Sequence, residues 1–519
     1  MSLGEKPIAG PRQHVSAWTL GLSSALVVFG AKCWLIAGYG NPTPFSDEWT
    51  VYGGLLFPKY FAETLTFTDL IAPHNEHRLL TTRLWSLLLL VLQGYWDPIA
   101  QMVTNTLILC AFVALLITTF YRVLAPAHGI VFALIATLFF SLPWTWGNTL
   151  WAFCSQWYFF LFFSVAALVA IANAAAFSAR WWLAMLFFLG SYFSLAGGAT
   201  IPMAAFALCA LQMAVRARRG ARELIGLAIT AAVALAMILD IPRVPGDAIY
   251  RAHSLGQFLQ AAIEIMSWPA ATGMTFVVTL IVLAILTYSP SWLASAAIIA
   301  SRPALRDRRW LLVGLAAWMM LEVAAMAYGR AGASVTARYL DLYVVGLLLN
   351  AGCLLYLFEA HAVWRRHRLV AAAIVIWVLS VCIGVTLTVA KHTVRDLSEA
   401  RTRAKTETEN LRAYLDRGDI RVLQNKGELE IPYGDAGELA RIVSQPVIRD
   451  ILPPALVGED SAERAQQHGL ARSTGRAVDA FKALALRWGV WLMPLGLALF
   501  LAGLAQARLR PSDASGRYA

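Results

Sequence analysis

The sequence predicts an all-α polytopic membrane protein with about twelve transmembrane helices. Three observations carry that prediction. Of 519 residues, 59% are hydrophobic and only 14% charged, with mean hydropathy +0.61, which is more apolar surface than a water-soluble domain can bury. Runs of about 20 apolar residues, the length of helix that spans roughly 30 Å of hydrocarbon, recur from Ala17 almost to the C-terminus. Short arginine clusters punctuate those runs, so the net charge of +11 follows the positive-inside pattern of membrane proteins, and no nucleic-acid partner is expected.

The first run, Ala17 to Ile36, is too long for a signal-peptide core and lacks a small-x-small cleavage site, so it reads as a retained first helix. Spans are expected near 17–37, 98–121, 128–146, 150–173, 181–195, 199–215, 223–241, 270–299, 310–328, 339–360, 369–390 and 487–507. The basic clusters are the N-terminal tail, Arg122, Arg180, Arg216 to Arg222, Arg302 to Arg309, Arg365 to Arg368, and Arg508 with Arg510. Placed in the cytoplasm, they put both termini there as well. All six cysteines lie in apolar runs, so neither a disulfide framework nor a cysteine zinc site is expected. There is no internal repeat, and the halves lack the paired interrupted helices of inverted-repeat transporters.

Two long polar segments then face the outer side. The chain divides into a transmembrane domain, 1–390, carrying the outer loop 38–97; a small outer segment, 391–486; and a last helix with a cytoplasmic tail, 487–519. In the first segment, Leu79 to Gln93 is apolar except for a stripe of Thr82, Arg83 and Ser86, which predicts a juxtamembrane amphipathic helix on the outer membrane surface, walling a cavity. The second segment begins with a charge-rich helix, Thr393 to Asp416, and continues with short helices broken by prolines between Gly427 and Pro454.

Polar residues with chemical potential concentrate in the outer loops. Asp47 and Glu48 stand together just beyond the first helix, with Phe45 and Trp49 close by. By themselves they read as a hydrated turn capped by Ser46 or Asp47. The segment Pro73-His74-Asn75-Glu76-His77-Arg78 precedes the amphipathic helix. With Asn75 as N-cap, the free N–H groups of the first turn, flanked by His77 and Arg78, suit a phosphate; alternatively Glu76 only satisfies the helix dipole. Tyr328-Gly329-Arg330 and Arg338-Tyr339-Leu340-Asp341 bracket a short outer loop. Their arginines either snorkel to headgroups or form a bidentate fork for phosphate. Lys32 and Glu322, inside spans, each need a partner or a wet cavity. The Trp144 to Trp157 turn reads as an interfacial aromatic belt, with sugar stacking as the alternative. No P-loop lysine follows Ala196-Gly197-Gly198-Ala199, and there is no HExxH pair or GxSxG elbow.

In this order of parts the chain resembles the GT-C class of membrane glycosyltransferases, which includes the protein O-mannosyltransferases and the bacterial aminoarabinose transferases. Ser46-Asp47-Glu48-Trp49 stands where that class has its acidic motif, and His74 to Arg78 leads into a juxtamembrane helix as its second motif does. Arg338-Tyr339-Leu340 is similar to a late motif of relatives. The aminoarabinose transferases' lysine-proline motif is replaced by His-Asn-Glu-His-Arg, and 391–486 is unlike their terminal domains, so sugar and acceptor stay open.

The resemblance implies inverting transfer from a polyprenyl-phosphate-linked sugar donor to a glycan, lipid or protein acceptor, in a bacterial inner membrane with the site facing the periplasm. Asp47 would be the general base, with Glu48 as alternate. Arg338, Arg330 and Arg78, with the helix N-terminus at Asn75, would hold the carrier phosphate, while His74, Glu76, His77 and Tyr339 would orient substrates. In one variant, Asp47, Glu48, His74, Glu76 and His77 hold a divalent cation, Mg²⁺ or Mn²⁺. The rival readings are a transporter or lipid flippase, and a non-catalytic membrane assembly partner.

Overall fold

The computed structural model describes residues 15–360, 368–427, 429–467 and 469–509. The N-terminal tail, Arg365 with its neighbours to His367, and Arg510 with the rest of the C-terminal tail lie outside the described residues.

The chain is an all-α polytopic membrane protein. Among the described residues ten helices are long and apolar enough to cross a membrane. They begin with Ala17–Tyr39 and Pro98–Val123 and end with Arg368–Arg417 and Ala471–Gln506. An eleventh candidate is the pair Pro126–Ser141 and Pro143–Thr149, bent by 44°. The bend has a local cause. Pro143 drives the preceding Leu142 out of helical geometry, to φ −64° and ψ 146°. The expected span near 181–195 is the helix Ala179–Tyr192, whose 14 residues reach only about 21 Å at 1.5 Å per residue.

The first and last helices pack tightly. A methyl added to Gly30 would lie 2.7 Å from the Gly489 carbonyl oxygen, so small residues on both sides let the chain's two ends come together. The charge-rich helix Val394–Arg417 continues the span Arg368–Thr388 through a π-helical turn, Val389–Thr393, making one rod that rises out of the apolar layer.

The two long polar segments form one cap on the same face. The Ser46 amide donates to the Pro432 carbonyl at 2.7 Å, the Trp96 amide donates to the Ile451 carbonyl at 2.7 Å, and the Thr43 and Thr408 hydroxyls are 2.7 Å apart. Trp49, Tyr52, Phe57 and Trp96 make an aromatic core for the cap, with Ile442 of the later segment closed over Gly53.

Within the first loop, two expectations are corrected. Residues 73–78 form a small antiparallel hairpin in which Pro73 faces Arg78 and His74 faces His77. Asn75 is its turn residue at φ 50°, a left-handed conformation that asparagine tolerates, and the following helix Leu80–Gln93 is preceded by Leu79 with no side-chain cap. Asn75 is therefore not an N-cap. The polar stripe Thr82, Arg83 and Ser86 turns inward and is buried, with Arg83 donating to the Leu70 and Ala72 carbonyls at 2.9 and 2.6 Å. That helix braces the loop and does not wall the cavity described next.

A helix that the span pattern does not announce, Leu255–Ser267, lies between Leu239 and Val277. Ser254 caps it by accepting the Gln257 amide at 3.2 Å. Ala261 and Ile265 face inward, leaving Gln260 and Glu264 on a different face.

Candidate functional site

Where the cap meets the spans lies a cavity of about 1130 Å³. Its walls come from the first-loop residues Tyr39 to Ser46, the bend Trp144–Trp151, the helix Leu255–Ser267, the start of Val277–Ala300, the segment 335–340 and the rod between Thr388 and Glu407. Part of the lining is apolar, through Met274, Val277 and Leu280. The neighbouring Phe276 and Val278 are 79% and 75% exposed, so this apolar stretch continues onto the protein surface. The lining also carries Arg338, Glu264, Arg403, Asp396, His392 and Glu407.

Arg338 is held by the tryptophan bend. Asn148 Nδ2 donates to the Arg338 carbonyl at 2.8 Å and to Asp341 Oδ2 at 2.8 Å. Gly147 allows the close approach, since a methyl there would meet Arg338 Cγ at 3.2 Å. The guanidinium lies over the Trp151 ring, 5.2 Å from its centroid. Among the described residues no carboxylate comes within ion-pairing distance of it, so its fork is open to an anion.

Behind this arginine, Lys32 and Asp341 are buried within Coulombic reach of each other, with Lys32 Nζ donating to Thr145 Oγ1 at 3.1 Å. Lys32 thus finds the partner its depth requires. Glu322 does too, from the Thr200 hydroxyl and the Trp318 indole at 3.0 Å, away from the cavity.

The hairpin forms a second polar centre. His74 Nε2 lies 3.5 Å from Asp47 Oδ2. Glu76 pairs with Arg330, whose guanidinium also covers the Tyr250 ring, and lies 3.7 Å from His77 Nε2. His77 Nδ1 accepts the Ala196 amide at 3.3 Å. Arg78 forks onto Asp240 at 2.7 and 2.9 Å and donates to the Ile71 carbonyl. The structure therefore brings Asp47 to His74, and Glu76 to Arg330 and His77. Arg330, Arg78 and Asn75 do not reach the cavity with Arg338; Arg78 spends its fork on Asp240, and Arg330 donates to one Glu76 oxygen and to the Gly329 carbonyl. Tyr339 packs against Trp157, ring centroids 5.6 Å apart, and is buried.

Asp47 follows Ser46, which lines the cavity, but is not itself on the wall. Aromatic residues connect the two polar centres: His74 packs on Phe153 at 5.5 Å, Phe153 packs on Trp151, and Trp151 donates its indole N–H to the Phe45 carbonyl at 3.1 Å. Glu48 turns the other way. It is buried with no hydrogen-bond partner on either oxygen, and burial holds its carboxyl well above the ordinary range. Glu48, expected as the alternate base, is thus buried away from the cavity wall, whereas Ser46 next to Asp47 lines it.

Among the described residues no three His, Cys, Asp or Glu side chains converge as they would around a metal ion. Asp47, Glu48, His74, Glu76 and His77 do not form one donor set, and no chemical step is assigned to a metal.

Sequence reasoning missed Glu264 and Glu407. Glu264 accepts from Ser334 Oγ at 2.7 Å and Gln260 Nε2 at 3.0 Å. Glu407 accepts from Asn41 Nδ2 at 2.8 Å, its other oxygen has no partner, and burial pushes its carboxyl up to about 7. The capping Ser254 and the apolar spacing after it were a legible signal for the first. For the second there was none, because its partner is 366 residues away.

Comparison with known protein families, curated proteins and solved structures finds no match to this chain.

Proposed function

We propose that this chain is an inverting glycosyltransferase that moves a sugar from a polyprenyl-phosphate carrier to an acceptor at the outer face of a bacterial inner membrane. In this reading the bent pair and the short helix Ala179–Tyr192 complete twelve crossings, both termini are cytoplasmic, and the cap faces the periplasm.

The observation that carries the reading is the cavity's mixed lining, apolar in part and charged in part. A polyprenyl chain needs an apolar flank open to lipid, which Met274, Val277 and Leu280 supply beside Phe276 and Val278. A phosphodiester needs an unpaired cation at the polar boundary, and Arg338 is one, held in place by Asn148 and Trp151.

The acceptor oxygen attacks the anomeric carbon as the bond from that carbon to the phosphate oxygen breaks. Arg338 stabilises the negative charge left on the carrier phosphate. Asp47, beside His74, takes the acceptor proton at the rim marked by Ser46. Arg330 and Arg78 act at a distance, by pinning the hairpin that presents His74.

The test measures transfer from a panel of polyprenyl-phosphate sugars by wild type, Asp47→Asn and Arg338→Ala. Loss of transfer in Asp47→Asn with donor binding retained supports the base assignment, and full activity removes it. Carrier movement across a bilayer without transfer would instead indicate a flippase. Tolerance of both substitutions by the organism would indicate an assembly partner.

A further inference from the structure

Arg338 is flanked by two different walls, and its local connections fix both. On one side the bend Trp146–Trp151 reaches it through the Asn148 bond to its carbonyl and the stacking of its guanidinium on Trp151. On the other, Ser334 ties the same segment to Glu264 at 2.7 Å. Trp146, Trp151, Gln260 and Glu264 all line the cavity. Each carboxylate oxygen of Glu264 accepts one hydrogen bond, from Ser334 or Gln260, which leaves further lone pairs for cavity donors. Among the described residues no lysine or arginine lies within ion-pairing distance of Glu264. One cavity lining thus holds a carboxylate with spare acceptor capacity, aromatic side chains and a phosphate-ready arginine.

We infer that this is the donor's sugar subsite: the ring stacks on Trp146 and Trp151 while Glu264, oriented by Gln260 and Ser334, accepts hydrogen bonds from its hydroxyl groups. The inference rests on the proposed transferase reading and adds a substrate class to it. A sugar one bond from a phosphate on Arg338 meets both walls at once. Aromatic faces select the apolar face of a ring, and an unpaired carboxylate selects donors over acceptors. The subsite therefore takes a neutral or amino sugar and rejects a uronic acid, whose carboxylate would face that of Glu264.

The experiment measures binding of undecaprenyl phosphate, undecaprenyl-phosphate hexose and undecaprenyl-phosphate hexuronate to the full chain in lipid nanodiscs, using wild type, Glu264→Gln, Trp146→Ala, Trp146→Phe and Arg338→Ala. The hexose is expected to tighten binding about tenfold over the bare carrier, the size of one charge-assisted hydrogen bond. The hexuronate is expected to gain nothing. Glu264→Gln and Trp146→Ala should erase the hexose gain, Trp146→Phe should restore it, and Arg338→Ala should weaken all three lipids. Bare carrier that binds with Arg338 dependence, together with a hexose gain that is absent or survives both Glu264→Gln and Trp146→Ala, overturns the sugar subsite and leaves the carrier site standing. Failure of the bare carrier to bind in an Arg338-dependent way overturns both.

Discussion

Glu407 offers a perturbation whose size can be worked out in advance. It lies on the charge-rich outer helix and binds that helix to the first loop through Asn41, with Thr408 reinforcing the contact through Thr43. Burial raises its carboxyl from an ordinary 4.5 to about 7, with Arg403 and the Asn41 amide opposing the rise. For an acid whose folded value is raised, the favourable contribution is complete below pH 4.5 and is lost as pH climbs through 7. The interval of about 2.5 units corresponds to about 3 kcal/mol of docking free energy, or two orders of magnitude in an opening equilibrium. Hydrogen exchange of the amides in Val394–Arg417 reports that opening. After correction for intrinsic base catalysis, wild-type protection should fall about a hundredfold more between pH 5 and pH 8 than in Glu407→Gln. The glutamine keeps an oxygen for Asn41 and cannot ionise. Equal pH dependence in the two proteins would refute the burial argument for Glu407.

Three further outcomes follow from the packing. Glu48→Gln should keep transfer activity, because burial disfavours the charged form and the residue is not on the cavity wall, whereas Asp47→Asn should lose it; parallel transfer assays separate them. Gly384→Ala should lower stability by about 1–3 kcal/mol, because the added methyl overlaps the Pro269 carbonyl, while Gly38→Ala, with open space around it, should not; thermal denaturation in detergent compares them. The Arg78–Asp240 pair should couple by no more than about 1 kcal/mol in a double-mutant cycle, since the Asp240 side chain is 51% exposed and solvent screens it.

The transmembrane helices were legible because a bilayer imposes one requirement, sustained apolar length, that any window of sequence displays. The bend at Pro143 was half legible. The proline marks a break, but the seating of Trp144 and Trp151 against residues distant in the chain decides where the bend points. Asn75 shows why a short polar motif misleads. Asparagine serves equally well as N-cap and as left-handed turn residue, and the outcome was set by Glu76 pairing with Arg330, 254 residues away, and Arg78 with Asp240, 162 residues away. Arg338 was legible as a phosphate candidate by its type and its place at a span boundary. That it alone of the three expected arginines would line the cavity depended on where the carboxylates fell, which spacing does not encode.

The most direct measurement is equilibrium binding of polyprenyl-phosphate sugars to the purified chain, comparing wild type with Arg338→Ala. Removing an open guanidinium fork from a phosphate should cost about 2–3 kcal/mol, roughly a 30- to 150-fold loss of affinity, for every carrier that binds. Saturable binding with that loss is the expected result. Binding unaffected by Arg338→Ala, or no binding across the panel, would contradict a carrier-phosphate site in the cavity.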